Sequence, residues 1–217
     1  AERAVATEVR AGPMAGDGPT AATGRGTALR PEPWLLVATG TGASHPAALA
    51  ELAAALAAGR ALGLSDAEIL SGFKSFPGLA HRMALVAEIQ GVRFVDDSKA
   101  TTPHATLTAM AGLPGSVLIA GGRNKGVDLA VLGRSRPRAV VAIGEAADEI
   151  VEAFAGRCPV HEAASMDEAV ALAHEAADGS GTVLLSPGCS SFDWYGSYVE
   201  RGLDFGRIVR SLDGAGA

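Results

Sequence analysis

Three short polar runs hold the residue types best suited to chemistry: Asp96-Asp97-Ser98-Lys99, Gly121-Gly122-Arg123-Asn124-Lys125-Gly126 and Ser186-Pro187-Gly188-Cys189-Ser190-Ser191. Lys99 and Lys125, with the hydroxyls of Ser98, Thr101, Ser190 and Ser191, offer the charge-assisted donors that a small dicarboxylate needs from several loops at once. A solvated polar loop is the alternative reading of any one of these runs. The glycine-rich turn at 121–126 also resembles a phosphate cradle, since glycine lets backbone N–H groups approach an anion and Lys125 adds a point charge. It has neither the G-x-x-x-x-G-K-[ST] nor the G-x-G-x-x-G spacing. The 186–191 run lacks the G-x-S-x-G elbow, and no histidine or acid is spaced for a hydrolase triad. The five histidines, His45, His81, His104, His161 and His174, show no ligand spacing, so a metal site made by this chain alone is not expected.

These runs need elements to position them. Strand-like stretches at Ala84–Ile89 and Val92–Val95 flank Gln90-Gly91, which reads as a tight turn. Further strands are expected at Val117–Ala120, Ala139–Ile143 and Thr182–Leu185, with helices at about 103–111, 145–155, 166–177 and 198–212. Apolar strands alternating with amphipathic helices predict an α/β fold, a doubly wound, mostly parallel sheet with flanking helices. All three polar runs then follow strand ends, where such sheets bind ligands. Upstream, Pro46–Leu62 is nearly all strong helix formers and apolar on most faces, so it is expected to be largely buried. Ser65 and Glu68 form a capping box for a second helix to about Phe73. Ala11–Thr27 has almost no large apolar side chain and predicts a loose or irregular N-terminal segment.

Composition narrows the classes. Of 217 residues 48% are hydrophobic and 19% charged, which is globular rather than fibrous or disordered. The 28 glycines are nearly twice the usual ~7% and call for many turns. A net charge of -6 with only three lysines argues against nucleic acid bound through a broad basic face. Cys158 and Cys189 cannot make a disulfide scaffold or a four-ligand zinc site. No run approaches a membrane span, and no signal-peptide core is present, so a cytoplasmic location is expected.

GLAHRM (78–83), VDDSKATTPHAT (95–106), IAGGRNKG (119–126) and LLSPGCSSFDWYGSYVERGLDF (184–205) together resemble the C-terminal part of the Mur ligase family, most closely its D-glutamate-adding branch. The resemblance covers about residues 46–212, in the family's motif order. It implies a Rossmann-like domain, 78–217, that brings the amino acid to an ATP-dependent amide ligase; 46–77 would be a helical segment closing a central ATPase domain, and 1–45 an irregular linker or remnant of that domain. The implied partners are D-glutamate, ATP with Mg, and UDP-N-acetylmuramoyl-L-alanine, whose carboxylate is phosphorylated before the amine attacks. Matched motif to motif, Lys99, Thr101, Lys125, Ser191, Phe192 and Tyr198 are expected around D-glutamate, and Arg82 and Asp97 near the nucleotide, Asp97 at its ribose. Their part is positioning and charge stabilisation.

The sequence departs from the family pattern. It has no P-loop and no counterpart of the central domain's modified lysine or magnesium ligands. His45-Pro46-Ala47-Ala48-Leu49 replaces the family's H-N-x-x-N, and Thr102 stands where asparagine is common. The chain is therefore expected to be a truncated product or isolated domain that does not turn over alone. Another ligase of the superfamily, adding a diamino acid or extending folates with glutamate, is the second reading, and a non-catalytic binding module with the same fold is the third.

Overall fold

In the computed structural model residues 46–214 are described, with side chains from 52 to 212. The irregular segment read at 1–45 lies outside them. The elements are α1 (Pro46–Ala61), α2 (Asp66–Ser75), β1 (Ala84–Ile89), β2 (Val92–Asp96), α3 (Pro103–Gly112), β3 (Val117–Gly121), a 3-10 turn (Ala130–Arg134), β4 (Ala139–Ile143), α4 (Ala147–Phe154), β5 (Val160–Ala163), α5 (Met166–Ala177), β6 (Gly181–Gly188) and α6 (Tyr198–Gly214).

The strands form one six-stranded sheet in the order β1-β2-β6-β3-β4-β5. β1 pairs antiparallel with β2, and the remaining pairings are parallel. β3 and β4 read Val-Leu-Ile-Ala-Gly and Ala-Val-Val-Ala-Ile and are buried throughout, as strands covered on both faces must be. Alternate side chains serve opposite layers. Ile119, Val141 and Leu185 pack with α5 and α6 through Val170, Ala173, Phe205 and Val209. Leu118, Val140 and Leu184 pack with α3, the 3-10 turn and α4 through Met110, Leu132, Ile150 and Phe154. The layering is helix–sheet–helix.

Local chemistry sets the boundaries. Gln90 and Gly91 have φ of 50° and 84°, the two positive values that a tight hairpin turn matching strand twist requires. Ser65 and Glu68 close the capping box, with the Ser65 N–H donating to Glu68 Oε2 at 2.8 Å. Thr102 accepts from the Ala105 N–H and Pro103 sits in the first turn of α3, where its missing donor costs nothing.

Two expectations need correction. α1 is not largely buried over its described residues: Leu56 and Gly59 are covered, while Ala53, Ala54, Ala55, Ala57 and Ala58 face solvent. It packs on the short α2 across Gly59, where a Cβ would stand 2.8 Å from Ile69 Cδ1, and a ten-residue helix covers only one stripe of an all-apolar cylinder. The 145–155 helix is shorter, Ala147–Phe154, because Gly144 turns with φ of 72° before it starts. β5 and the 3-10 turn were not foreseen.

Candidate functional site

β2, β6 and β3 are neighbours and run parallel, so the turns that leave their carboxyl ends emerge side by side. These turns are 97–101, 189–191 and 122–126, the same polar runs singled out by composition. They are stitched together by hydrogen bonds across the gaps between strands.

Between the β2 and β6 turns, the Asp97 N–H donates to Leu185 O at 2.8 Å and the Gly188 N–H to Ala100 O at 2.9 Å. Ser186 Oγ donates to Asp97 Oδ2 at 2.8 Å, and Thr106 Oγ1 donates to Ser186 O at 3.1 Å. Between the β6 and β3 turns, Arg123 and Ser190 exchange backbone bonds of 2.9 and 3.1 Å. That approach requires glycine at 122, whose φ is 122° and where a Cβ would strike the Ser190 carbonyl.

Below all three turns lies Arg201 of α6, 1% exposed. Its Nε donates to Ser98 Oγ at 2.9 Å, and Nη2 donates to Ser98 O at 3.0 Å and Cys189 O at 3.2 Å. Nη1 lies against Gly122 and has no hydrogen-bond acceptor among the described residues. Burial pulls the guanidinium down to about 10, partly offset by the Asp193 carboxylate, so it stays charged at neutral pH. Composition could not single it out. Helical spacing could, because Arg201 precedes the buried Phe205, Ile208 and Val209 by four, seven and eight residues, on the same helix face.

Of the residues expected around an amino acid, Lys99 and Tyr198 meet directly. Lys99 Nζ donates to Tyr198 Oη at 3.2 Å and lies 4.9 Å from the ring centroid. Ser98 Oγ donates to Tyr198 O at 2.8 Å, which fixes the start of α6 against the β2 turn. Thr101 is half-buried beside them. Ser191 is buried in the turn after β6, next to the Ser190–Arg123 bridge, and Phe192 after it is 56% exposed. Lys125 is exposed on the β3 turn. Asn124 braces that turn: its Oδ1 accepts from the Val127 N–H at 2.9 Å and its Nδ2 donates to Glu149 at 2.7 Å. Lys99 and Lys125 thus stand on either side of the β6 turn.

Asp97 and Arg82 form the other flank. Asp97 is 5% exposed, and burial pushes its carboxyl up to about 6 against the hydrogen bonds from Ser186 and Met83 that stabilise the ionised form. Each oxygen accepts one bond within the chain and keeps a second lone pair. A neighbouring pair was not anticipated: His81 Nδ1 lies 2.7 Å from Asp96 Oδ2, and Asp96 Oδ1 accepts from the Ser98 N–H at 2.8 Å. The acidic side chain thereby ties the 78–83 segment to the β2 turn. Among the described residues no three His, Cys, Asp or Glu side chains gather as a metal site. No helix among them is long and apolar enough to cross a membrane.

The arrangement offers two separated cations with buried and half-buried hydroxyls around one rim, a set suited to a small anion with two acidic groups.

Comparison with known proteins places the chain in a family. The model of the family described as "Mur ligase, glutamate ligase domain" matches residues 81–189. The UDP-N-acetylmuramoylalanine--D-glutamate ligase of Chlorobium limicola is 44% identical over 164 residues, which is 74% of this chain and 35% of that protein. The protein of the same name from Nitrosococcus oceani is 43% identical over 170 residues, 76% of this chain and 38% of that one. The chain thus spans about a third of the length of the curated relatives it matches. In fold it is similar to MurF of Acinetobacter baumannii, with a TM-score of 0.53 at 19% identity over 72% of this chain and 36% of that one. It is also similar to the UDP-N-acetylmuramate-alanine ligase MurC of Thermotoga maritima, with a TM-score of 0.51 at 16% identity over 72% and 36%. With its motifs, sheet order and family match in agreement, the chain belongs to the Mur ligase family, through its glutamate ligase domain.

Proposed function

We propose that this chain provides the amino-acid-binding domain of an ATP-dependent amide ligase that adds D-glutamate to UDP-N-acetylmuramoyl-L-alanine in peptidoglycan synthesis, in the cytoplasm. The observation that carries the reading is the pair Lys99 and Lys125 on the β2 and β3 turns, either side of the β6 turn that bears Ser191. In it the two ammonium groups take the two carboxylates of D-glutamate, and Thr101, Ser191 and the Tyr198–Lys99 contact fix its orientation. Phe192 shields the exposed side. So held, the amine is free to form the new C–N bond at the activated carbonyl while the leaving group departs and the amine proton passes to solvent.

Arg82 and Asp97 are the residues that would hold a nucleotide, the carboxylate through its spare lone pairs at a ribose hydroxyl. ATP with Mg supplies the phosphoryl group that activates the acceptor carboxylate, held mainly by domains other than this one. The resemblance in names supports D-glutamate over a diamino acid, and so do two cations in place of an acidic pocket.

Calorimetric titration of the chain with D-glutamate tests the reading. Binding that weakens about tenfold or more in Lys125→Ala, the loss of one charge-assisted pair, supports it. Absence of D-glutamate binding, or tighter binding of a diamino acid, sinks it.

A further inference from the structure

At the opposite edge of the sheet, the amino ends of β4 and β5, three arginines converge without a partner. Three other surface arginines take a carboxylate: Arg60 pairs with Asp66, Arg123 with Glu145 and Arg207 with Asp204. No hydrogen bond or ion pair joins the side chain of Arg134, Arg136 or Arg157 to any described residue. All three line one groove of about 440 Å³ with Ser135, Pro137 and Cys158, and no acidic side chain lines it.

The groove is a shaped feature. The Ser135 hydroxyl donates to Leu132 O at 2.7 Å, the Ser135 N–H donates to the same carbonyl at 3.0 Å, and Pro137 is buried, so the backbone carrying Arg134 and Arg136 is stiff. Arg157 lies across Gly133, where a Cβ would stand 3.0 Å from its Nε and strike the Ala153 carbonyl. Glycine there is what seats the third guanidinium beside the other two. Three cations so gathered repel one another unless an anion neutralises them. Their planar forks match the tetrahedral oxygens of phosphate bidentately, and their summed charge matches a diphosphate. A second cavity of about 240 Å³ shares Arg134, Ser135 and Arg136 and continues onto the apolar Leu107, Met110 and Pro114, so a substituent on the diphosphate has an apolar wall to rest on.

We propose that this groove is a diphosphate-binding site, separate from the amino-acid rim by the length of β4, five residues or about 16 Å. Calorimetry of the whole chain with inorganic pyrophosphate, at low and physiological salt, tests it. The expected result is sub-millimolar binding that weakens with salt, falls about tenfold or more in Arg134→Gln/Arg136→Gln/Arg157→Gln and is unchanged in Lys125→Ala. Amide shifts on titration should centre on residues 133–136 and 157–158, and the triple variant should keep the wild-type unfolding temperature because its side chains are exposed. Phenyl diphosphate binding more tightly than pyrophosphate assigns the site to a substituted diphosphate, and equal binding to the free ion. Affinity retained in the triple variant, affinity lost in Lys125→Ala, or tetraglutamate binding as tightly as pyrophosphate would overturn the proposal.

Discussion

Arg201 grips Ser98 twice, at the hydroxyl and at the carbonyl, across 2.9 and 3.0 Å, and reaches from there to the carbonyl of Cys189. One buried side chain of α6 thereby fixes the spacing of the turns that follow β2 and β6, while its third nitrogen lies under Gly122 of the β3 turn. The rim is a consequence of that bracing as much as of the strand order.

Replacing the guanidinium should cost the whole rim. Arg201→Met leaves the Ser98 and Cys189 carbonyls without a donor, at about 1–3 kcal/mol each. We expect a loss on the order of 2–4 kcal/mol in urea unfolding, with amide shifts at 98–101, 122–125 and 189–191 in the variant. Shifts confined to α6 would show that Arg201 does not couple the turns.

Two glycines of the β3 turn should respond differently to the same change. Gly122 combines a positive φ with a carbonyl where a side chain would go, whereas Gly126 has φ of 80° and open space around it. Gly126→Ala should cost about 1 kcal/mol, the price of the left-handed backbone alone. Gly122→Ala should cost roughly twice that or more, since the Arg123–Ser190 bridge must open as well. Thermal unfolding of both variants measures the gap, and equal costs would contradict the close approach.

Asp97 makes stability depend on pH in an unusual direction for a carboxylate. Its folded value of about 6 stands above the ~3.9 of an unfolded aspartate. Between those values the folded chain holds a proton that the unfolded chain has released, so this group's contribution to stability falls as pH rises from about 4 to 6. The span is on the order of 3 kcal/mol. Asp97→Asn should flatten that part of the profile and leave the chain at least as stable at pH 7, measured by denaturant unfolding across pH 4–7. An unchanged profile would remove Asp97 as its source.

Tyr198 and Lys99 separate two contributions. Tyr198→Phe keeps the ring under the ammonium but removes the acceptor 3.2 Å away, and should weaken D-glutamate binding only about two- to fivefold. Lys99→Ala removes the charge itself and should weaken it about tenfold or more. A larger loss in the tyrosine variant would make the phenol a direct ligand.

Most of the strands were legible because β3, β4 and the core of β6 are unbroken apolar runs, and because Gln90-Gly91 and Ser65…Glu68 have unambiguous local physics. β5 was not: Val160-His161-Glu162-Ala163 has only Ala163 buried and earns its place by pairing with β4, which no local pattern reports. The polar runs were readable as site material from their position after strands. What drew them together was less open to reading, since strand order is set by long-range pairing and Arg201 stands out only through its helical spacing to Phe205, Ile208 and Val209. The expected burial of α1 failed for the complementary reason, that apolar composition states what a helix can bury and not what lies beside it.

β6 is the last of the described strands in sequence and the third in the sheet, inserted between β2 and β3. Before residues 181–188 emerge, a growing polypeptide can pair β3 with β4 but has nothing to join them to the β1–β2 hairpin. Completion of the sheet, and of any pocket at its rim, therefore awaits the emergence of β6. A ribosome-stalled chain ending before residue 181 should hold two unjoined halves, open to proteases at the strand edges that β6 would otherwise occupy.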